Sequence, residues 1–278
     1  MARTVRMTRR VGFSSGHRYW LSSLSEAENR SRFGKWASPY NHGHNYLLDV
    51  TVEGSIEPTT GMVVNIKRID DVLKSVVVSQ FDGKSINDEV AFFQSQASSL
   101  ENLMLYIADQ LNSIGALPAE CRLTGLRLEE MPSFYGELSL SEDSTIMTLS
   151  RTYEFAASHR LDSPYLSPEE NLELFGKCNN PAGHGHNYVL EVTIEGSPDP
   201  STGMIANLEE LDRIVEDGVV ERYDHKNLNV DIPEFQGRPT TSEIVALEIF
   251  ERLKDRVPAK LARIRLFETA RNMFEVSA

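Results

Sequence analysis

Two histidines separated by one glycine, His184 and His186, stand just ahead of an apolar run, Val189-Leu190-Glu191-Val192-Thr193-Ile194, and six residues after a lone thiol, Cys178. Side chains at i and i+2 of a strand leave the same face, so both imidazoles can reach one metal ion without distorting the backbone. A third imidazole, His159, closes an earlier strand-like run at residues 152–158. Pairing of the two strands as neighbours would bring it to the other two. Three imidazoles around an open position form the ligand set of a catalytic zinc site, whereas a structural site closes the fourth position with protein. Cys178 leaves both outcomes open. As a ligand its thiolate closes the site; standing off, it is a base or nucleophile beside a Lewis acid. A lone strand histidine is ordinarily solvated or caps a loop, a reading that suits this trio poorly.

The arrangement occurs twice. His17, His42 and His44 precede His159, His184 and His186 by 142 positions each, and the pairs Gly61/Gly203, Asp82/Asp224 and Glu101/Glu243 keep the same offset. A duplication held so long without a gap defines two domains, 1–140 and 146–278, more firmly than the usual size of ~150 residues does. After the second helix the offset falls to 138, matching Glu130 to Glu268, so the first copy carries four extra residues around Ile114-Gly115-Ala116-Leu117.

The elements that must position these groups repeat too. Residues 8–15 and 46–53 alternate as partner strands, and the polar stretch at 22–30 between them has no period and reads as loop. Asn65 is placed to cap a helix whose apolar positions are Ile66, Ile69, Leu73, Val76 and Val77. In the second copy Asn207 and Glu210 have the spacing of a capping box ahead of Leu208, Leu211, Val215 and Val219. Second helices are expected near residues 99–112 and 241–254, followed by strands near 123–128, 262–267 and 272–276. The order is ββααββ, an α+β pattern with the helices on one face of an antiparallel sheet. The polar run at residues 139–144 reads as the linker.

With 278 residues, 40% of them hydrophobic, the chain can bury two cores, and no stretch approaches the roughly 20 apolar residues of a membrane span. The N-terminus is basic but lacks the apolar region of a signal peptide. Cys121 and Cys178 are the only cysteines, which implies no disulfide framework and fits a reducing, cytoplasmic compartment. A net charge of −13 argues against nucleic acid or an anionic membrane as main partner. An anionic substrate would need local basic groups or a divalent ion.

Phe155-Ala156-Ala157-Ser158-His159, the run from Cys178-Asn179-Asn180-Pro181 through His184-Gly185-His186-Asn187-Tyr188, Asp224-His225-Lys226-Asn227-Leu228, Thr240-Thr241 and Phe267-Glu268-Thr269 together resemble the 6-pyruvoyltetrahydropterin synthase family. The spacing from the thiol to the histidines is closer to the animal-type enzyme than to the queuosine-pathway 6-carboxytetrahydropterin synthase. The resemblance implies the tunnelling fold, in which domains of this kind associate into barrels. It also implies zinc on His159, His184 and His186, a catalytic thiol at Cys178 and an Asp224–His225 pair that relays protons. The implied substrate is 7,8-dihydroneopterin triphosphate, accompanied by Mg²⁺, and the implied product is 6-pyruvoyltetrahydropterin. Glu268 falls on the pterin anchor, a role that suits a carboxylate able to accept two hydrogen bonds from an amino-pyrimidine edge. A salt bridge from Glu268 to Arg265 or Arg271 is the plainer alternative. Thr240 and Thr241 are expected to add pterin contacts, although Thr240 with Glu243 also fits a helix capping box.

The first half departs from the pattern. Trp36 stands in the place of Cys178 and Gly83 in that of His225, while His17, His42, His44, Asp82 and Glu130 remain, with Glu129 as a second candidate for the anchor. Such a site could hold zinc or a pterin without turnover, or keep its histidines as incidental residues. Two further readings stay open for the whole chain: production of the 6-carboxy compound, and a non-catalytic protein that binds pterin or zinc. Ring symmetry applied to two unlike halves suggests a homotrimer that mimics a hexamer, with all first halves in one ring and all second halves in the other.

Overall fold

The computed structural model describes residues 3–113 and 115–278; Met1, Ala2 and Ile114, the last belonging to the four extra residues of the first copy, lie outside the described residues. Two compact units emerge: unit 1 comprises residues 1–149 and 195–209, and unit 2 residues 150–194 and 210–278.

In unit 1, β1 (Thr4–His17) pairs antiparallel with β2 (His42–Ser55) in unbroken register, from Thr4 opposite Ser55 to His17 opposite His42. The strand therefore includes the first-copy histidine pair instead of starting after it, and the ladder itself delivers His17 to His42 and His44. β2 pairs with β3 (Cys121–Met131), and β3 with β4 (Phe134–Leu140). Leu48, Val50 and Val52 of β2 are buried together with Ile69 and Leu73 of α2 (Ile66–Leu73) and with Leu103, Met104, Ile107 and Leu111 of α3 (Leu100–Ser113). Burying each such side chain stabilises by about 1.5–3 kcal/mol relative to exposure. Asn65 caps α2 as expected, accepting from the Lys67 N–H at 2.9 Å. Ile66, expected on the buried face, is exposed.

Two expectations fail locally. The supposed loop at 22–30 contains most of a helix, α1 (Glu26–Phe33), started by a capping box between Ser25 and Glu28. Its anchor is a polar residue, the buried Asn29, whose side chain accepts from Leu21 N and donates to Leu21 O. An apolar period could not reveal that. The supposed linker shrinks to a turn, since β4 runs to Leu140, β5 (Thr145–His159) starts at Thr145, and Ser141 N–H donates to Ser144 O at 2.9 Å.

Residues 195–209 cluster with unit 1. Ser99 Oγ donates to Gly203 O at 2.6 Å, and Ile205 N–H donates to Glu101 Oε1 at 2.7 Å. Burial pushes the Glu101 carboxyl up to about 7.

Unit 2 has the strand order β8-β7-β6-β5, with β6 at His184–Glu195, β7 at Lys260–Thr269 and β8 at Asn272–Ser277. Its helices are α4 (Pro168–Phe175), α5 (Leu208–Val215) and α6 (Ser242–Leu253). Tyr188, Leu190, Val192 and Ile194 of β6 are buried, as are Leu211, Val215, Val219, Val245, Ile249 and Leu253. The capping box proposed for Thr240 and Glu243 does not form: the N-cap of α6 is Thr241, without a side-chain cap bond, and the Thr240 hydroxyl donates to Arg160 O at 3.1 Å. Both units are α+β.

Candidate active site and metal centre

In unit 2, His159 ends β5 while His184 and His186 open β6, so strand pairing gathers three imidazoles whose ligand atoms all lie within 4.8 Å of one another. Nε2 of His159 and Nε2 of His184 are 3.2 Å apart. His159 Nδ1 lies 2.7 Å from Thr240 O. A carbonyl only accepts, so Nδ1 carries the proton and Nε2 keeps its lone pair toward the cluster. Burial, then the neighbouring imidazoles, lower the pKa of His159 and of His184 from the ordinary 6.5. Both are neutral at pH 7, the form a metal requires. His186 Nε2 is buried without a hydrogen-bond partner, an arrangement that costs about 1–3 kcal/mol unless something occupies it. The donor set fits a zinc-class divalent ion.

Cys178 is not part of this cluster. It lies half-buried in a short helical turn, Gly176–Asn179, tied to the end of β5 through Leu161 N–H donating to Cys178 O at 2.9 Å. Glu268, on β7, places Oε1 3.7 Å from Nε2 of both His159 and His186. Ser242 Oγ donates to that oxygen at 2.8 Å, and Asn272 Nδ2 donates to Oε2 at 3.3 Å. Burial opposes ionisation of Glu268, but these two bonds and the nearby imidazoles outweigh it and hold the carboxyl below the usual carboxylate range. The salt-bridge alternative is absent among the described residues: Arg265 pairs with Glu275 and Glu191.

Asp224 and His225 occupy the rim. His225 Nδ1 lies 2.7 Å from Asp224 Oδ2, while Asp224 Oδ1 accepts from Ala156 N–H at 2.7 Å. The bond from the Ala156 N–H, then that to His225, lowers the Asp224 pKa. His225 shares a cavity of about 490 Å³ with Ser158, His186 and Lys226. It is also the one non-glycine residue with positive φ among the described residues, at 56°. The left-handed conformation costs a residue with a Cβ about 1–2 kcal/mol.

Unit 1 repeats the metal half of this geometry. His17, His42 and His44 converge within the same 4.8 Å, and His17 Nδ1 lies 3.0 Å from Ser98 O. Burial, then the charge of His42, lowers His17 to about 3 and His44 to about 4. Glu130 Oε1 is 3.3 Å from His44 Nε2, whereas Glu129 pairs with Arg127, so the anchor position falls to Glu130. Asp82 Oδ1 accepts from Ser14 N–H at 2.9 Å, as Asp224 does from Ala156, a duty to the strand that does not need a histidine beside it. Ser242 and Asn272, which hold Glu268, escape inspection of motifs. Comparison of the two copies finds them, because Leu100 and Phe134 stand in their places.

The family model described as 6-pyruvoyl tetrahydropterin synthase matches the chain twice, over residues 6–139 and 148–278. Human 6-pyruvoyl tetrahydrobiopterin synthase is 48% identical over 126 residues, 45% of this chain and 87% of that protein. The Drosophila melanogaster protein of the same name is 46% identical over 127 residues, 45% of this chain and 76% of that protein. A solved structure of Caenorhabditis elegans 6-pyruvoyl tetrahydropterin synthase, 42% identical, covers 48% of this chain and 96% of its own, with a TM-score of 0.46. With two matched segments that together span nearly the whole chain, this protein belongs to the 6-pyruvoyl tetrahydropterin synthase family and is a lyase of that type.

Proposed function

We propose that unit 2 converts 7,8-dihydroneopterin triphosphate to 6-pyruvoyltetrahydropterin with elimination of triphosphate, on a tunnelling-fold scaffold in the cytoplasm. The observation that carries this reading is the convergence of three imidazoles beside a carboxylate held by Ser242, with one of them, His186, sharing a cavity with an Asp-oriented histidine. A zinc ion on His159, His184 and His186 would polarise the side-chain diol and acidify its carbon-bound protons. Glu268, held by Ser242 and Asn272, accepts from the amino-pyrimidine edge and fixes the ring. Cys178, standing off the imidazoles, takes a proton from the side chain, and His225, oriented by Asp224, relays protons at the rim. Lys226, beside His225 in the same cavity, gives the triphosphate and its Mg²⁺ a cationic neighbour in a chain of strongly negative net charge. Unit 1 lacks the thiol and the relay and takes no part in proton transfer.

Incubating the chain with the substrate, zinc and magnesium and identifying the pterin by mass tests the proposal. The expected result is the 6-pyruvoyl compound with free triphosphate. A 6-carboxy product would transfer the assignment to the queuosine-type reaction, and bound but unchanged substrate would make this a binding protein.

A further inference from the structure

Cys178 and His159 stand on different segments of unit 2, and one side chain ties those segments together. Asn179, directly after the thiol, is 6% exposed and commits its amide to the residues that follow His159. Its Nδ2 donates to Leu161 O and to Asp162 Oδ1, both at 2.8 Å, and its Oδ1 accepts from Arg160 Nη2 at 3.3 Å. Arg160 Nε donates to Asn179 O at 3.0 Å, and Arg160 Nη2 lies 3.0 Å from Asp162 Oδ1. The far end of the tie is itself fixed. Arg160 N–H donates to Asn229 Oδ1 at 2.7 Å, and Arg160 O accepts from Asn229 Nδ2 at 3.0 Å and from the Thr240 hydroxyl at 3.1 Å.

Unit 1 separates the contacts that serve the fold from those that accompany the thiol. Asn87 brackets the N–H and carbonyl of Arg18 as Asn229 does those of Arg160, and Ser98 Oγ donates to Arg18 O as the Thr240 hydroxyl does to Arg160 O. The tie itself is gone. Ala37 stands in the place of Asn179 and Trp20 in that of Asp162. The Arg18 guanidinium turns instead to Asp88 at 2.6 Å and Asn41 at 2.7 Å, whose places in unit 2 hold Val230 and Gly183. A backbone bridge between Tyr19 and Ala37 still joins the turn to the strand end, so the fold does not need the amide. The copy with Trp36 for Cys178 keeps the frame and lacks the tie.

We propose that Asn179, clamped by Arg160 and Asp162, is the positioning residue that holds the Cys178 thiol in place relative to the three-imidazole cluster. This rests on the reading of Cys178 as the proton-transfer base. A helical turn of four residues holds itself weakly, so the side-chain tie decides where the thiol sits. Displacing a reacting group by about 1 Å can cost ~10² in rate.

The test uses the full zinc-loaded chain in a Cys121→Ser background, which leaves one thiol. Asn179→Ala should lower kcat by ~10² with KM and zinc content near wild type, and should raise the rate at which iodoacetamide alkylates Cys178. A half-buried thiol released from its tie meets reagent more readily and substrate less productively, whereas lost reactivity would lower both rates. Added to Cys178→Ala, Asn179→Ala should cost no further turnover, because it acts through the thiol. Asp162→Ala, on a side chain 40% exposed, should move both rates in the same directions by less, and it decides the matter if Asn179→Ala does not fold. Unchanged kcat in the folded Asn179→Ala chain, slower alkylation, or an equal further loss in the Cys178→Ala background would each overturn the proposal. A wild type without turnover would refute the proposed reaction instead. Alkylation then decides the tie, faster in Asn179→Ala supporting it and an unchanged rate overturning it.

Discussion

His225 pits local backbone preference against chemistry, and two substitutions separate the terms. Its φ of 56° costs a residue with a Cβ about 1–2 kcal/mol, and unit 1 avoids that cost with Gly83 at φ 72°. His225→Gly removes the strain but gains chain freedom in the unfolded state, which returns about 0.5–1 kcal/mol. The net expectation is a gain of up to about 1 kcal/mol. The imidazole is 83% exposed, and Asp224 keeps its bond from Ala156, so little packing is lost. For a unit of this size that gain raises the melting temperature by roughly 2–8 °C. His225→Ala keeps the strained backbone and should melt near wild type. Both variants should lose turnover by ~10²–10⁴ if the imidazole moves protons. Calorimetry beside initial rates decides the matter. A glycine variant that melts below the alanine variant refutes the strain argument, and one with full turnover refutes the relay. The mirror substitution, Gly83→His, should lower unit 1 stability by about 1 kcal/mol and leave the rate alone.

Three further outcomes follow from the same geometry. Cys178→Ala should cut turnover by ~10²–10⁴ while metal analysis still finds zinc in unit 2; loss of zinc would make the thiolate a ligand. His17→Ala with His42→Ala should keep turnover per unit 2 site near wild type, and a large loss with unchanged assembly would bring the Trp36 site into the reaction. In the metal-free chain the folded-state values of about 3 for His17 and about 4 for His44 lie below the ordinary 6.5, so the unfolded chain binds more protons in between. Stability should be full above pH ~6.5 and fall as pH drops toward 4 and then 3; denaturant melts that stay level from pH 7 to pH 4 would show those imidazoles to be solvated.

Periodicity alone made much of the fold legible, because long strands and amphipathic helices carry their burial in apolar residues. Leu103, Met104, Ile107 and Leu111 are buried where a 3.6-residue period puts them, and so are Leu208, Leu211, Val215 and Val219. What escaped was held by polar groups. α1 hangs on Asn29, and the Thr240 hydroxyl that looked like half of a capping box is bound to Arg160. The two imidazole clusters were legible because strand spacing and the internal repeat both point at them. The supports of Glu268 were not, since Ser242 and Asn272 lie 26 residues before and 4 after it and meet only in the folded chain.

The two units divide their shared residues by task. Asp82 and Asp224 each hold a strand N–H, and the carbonyls of Ser98 and Thr240 each face the Nδ1 of a cluster histidine, so the fold itself requires them in both places. At three of the differing positions that are proposed to serve substrate chemistry, unit 1 carries the residue that local physics prefers. Gly83 relaxes the left-handed turn that strains His225. Leu100 and Phe134 are buried apolar side chains where unit 2 places Ser242 and Asn272, and burial of each stabilises by about 1.5–3 kcal/mol. Unit 1 therefore agrees with its backbone where unit 2 conflicts with it. Such local conflict is tolerated where a site requires it, which supports the proposal that the chemistry belongs to unit 2.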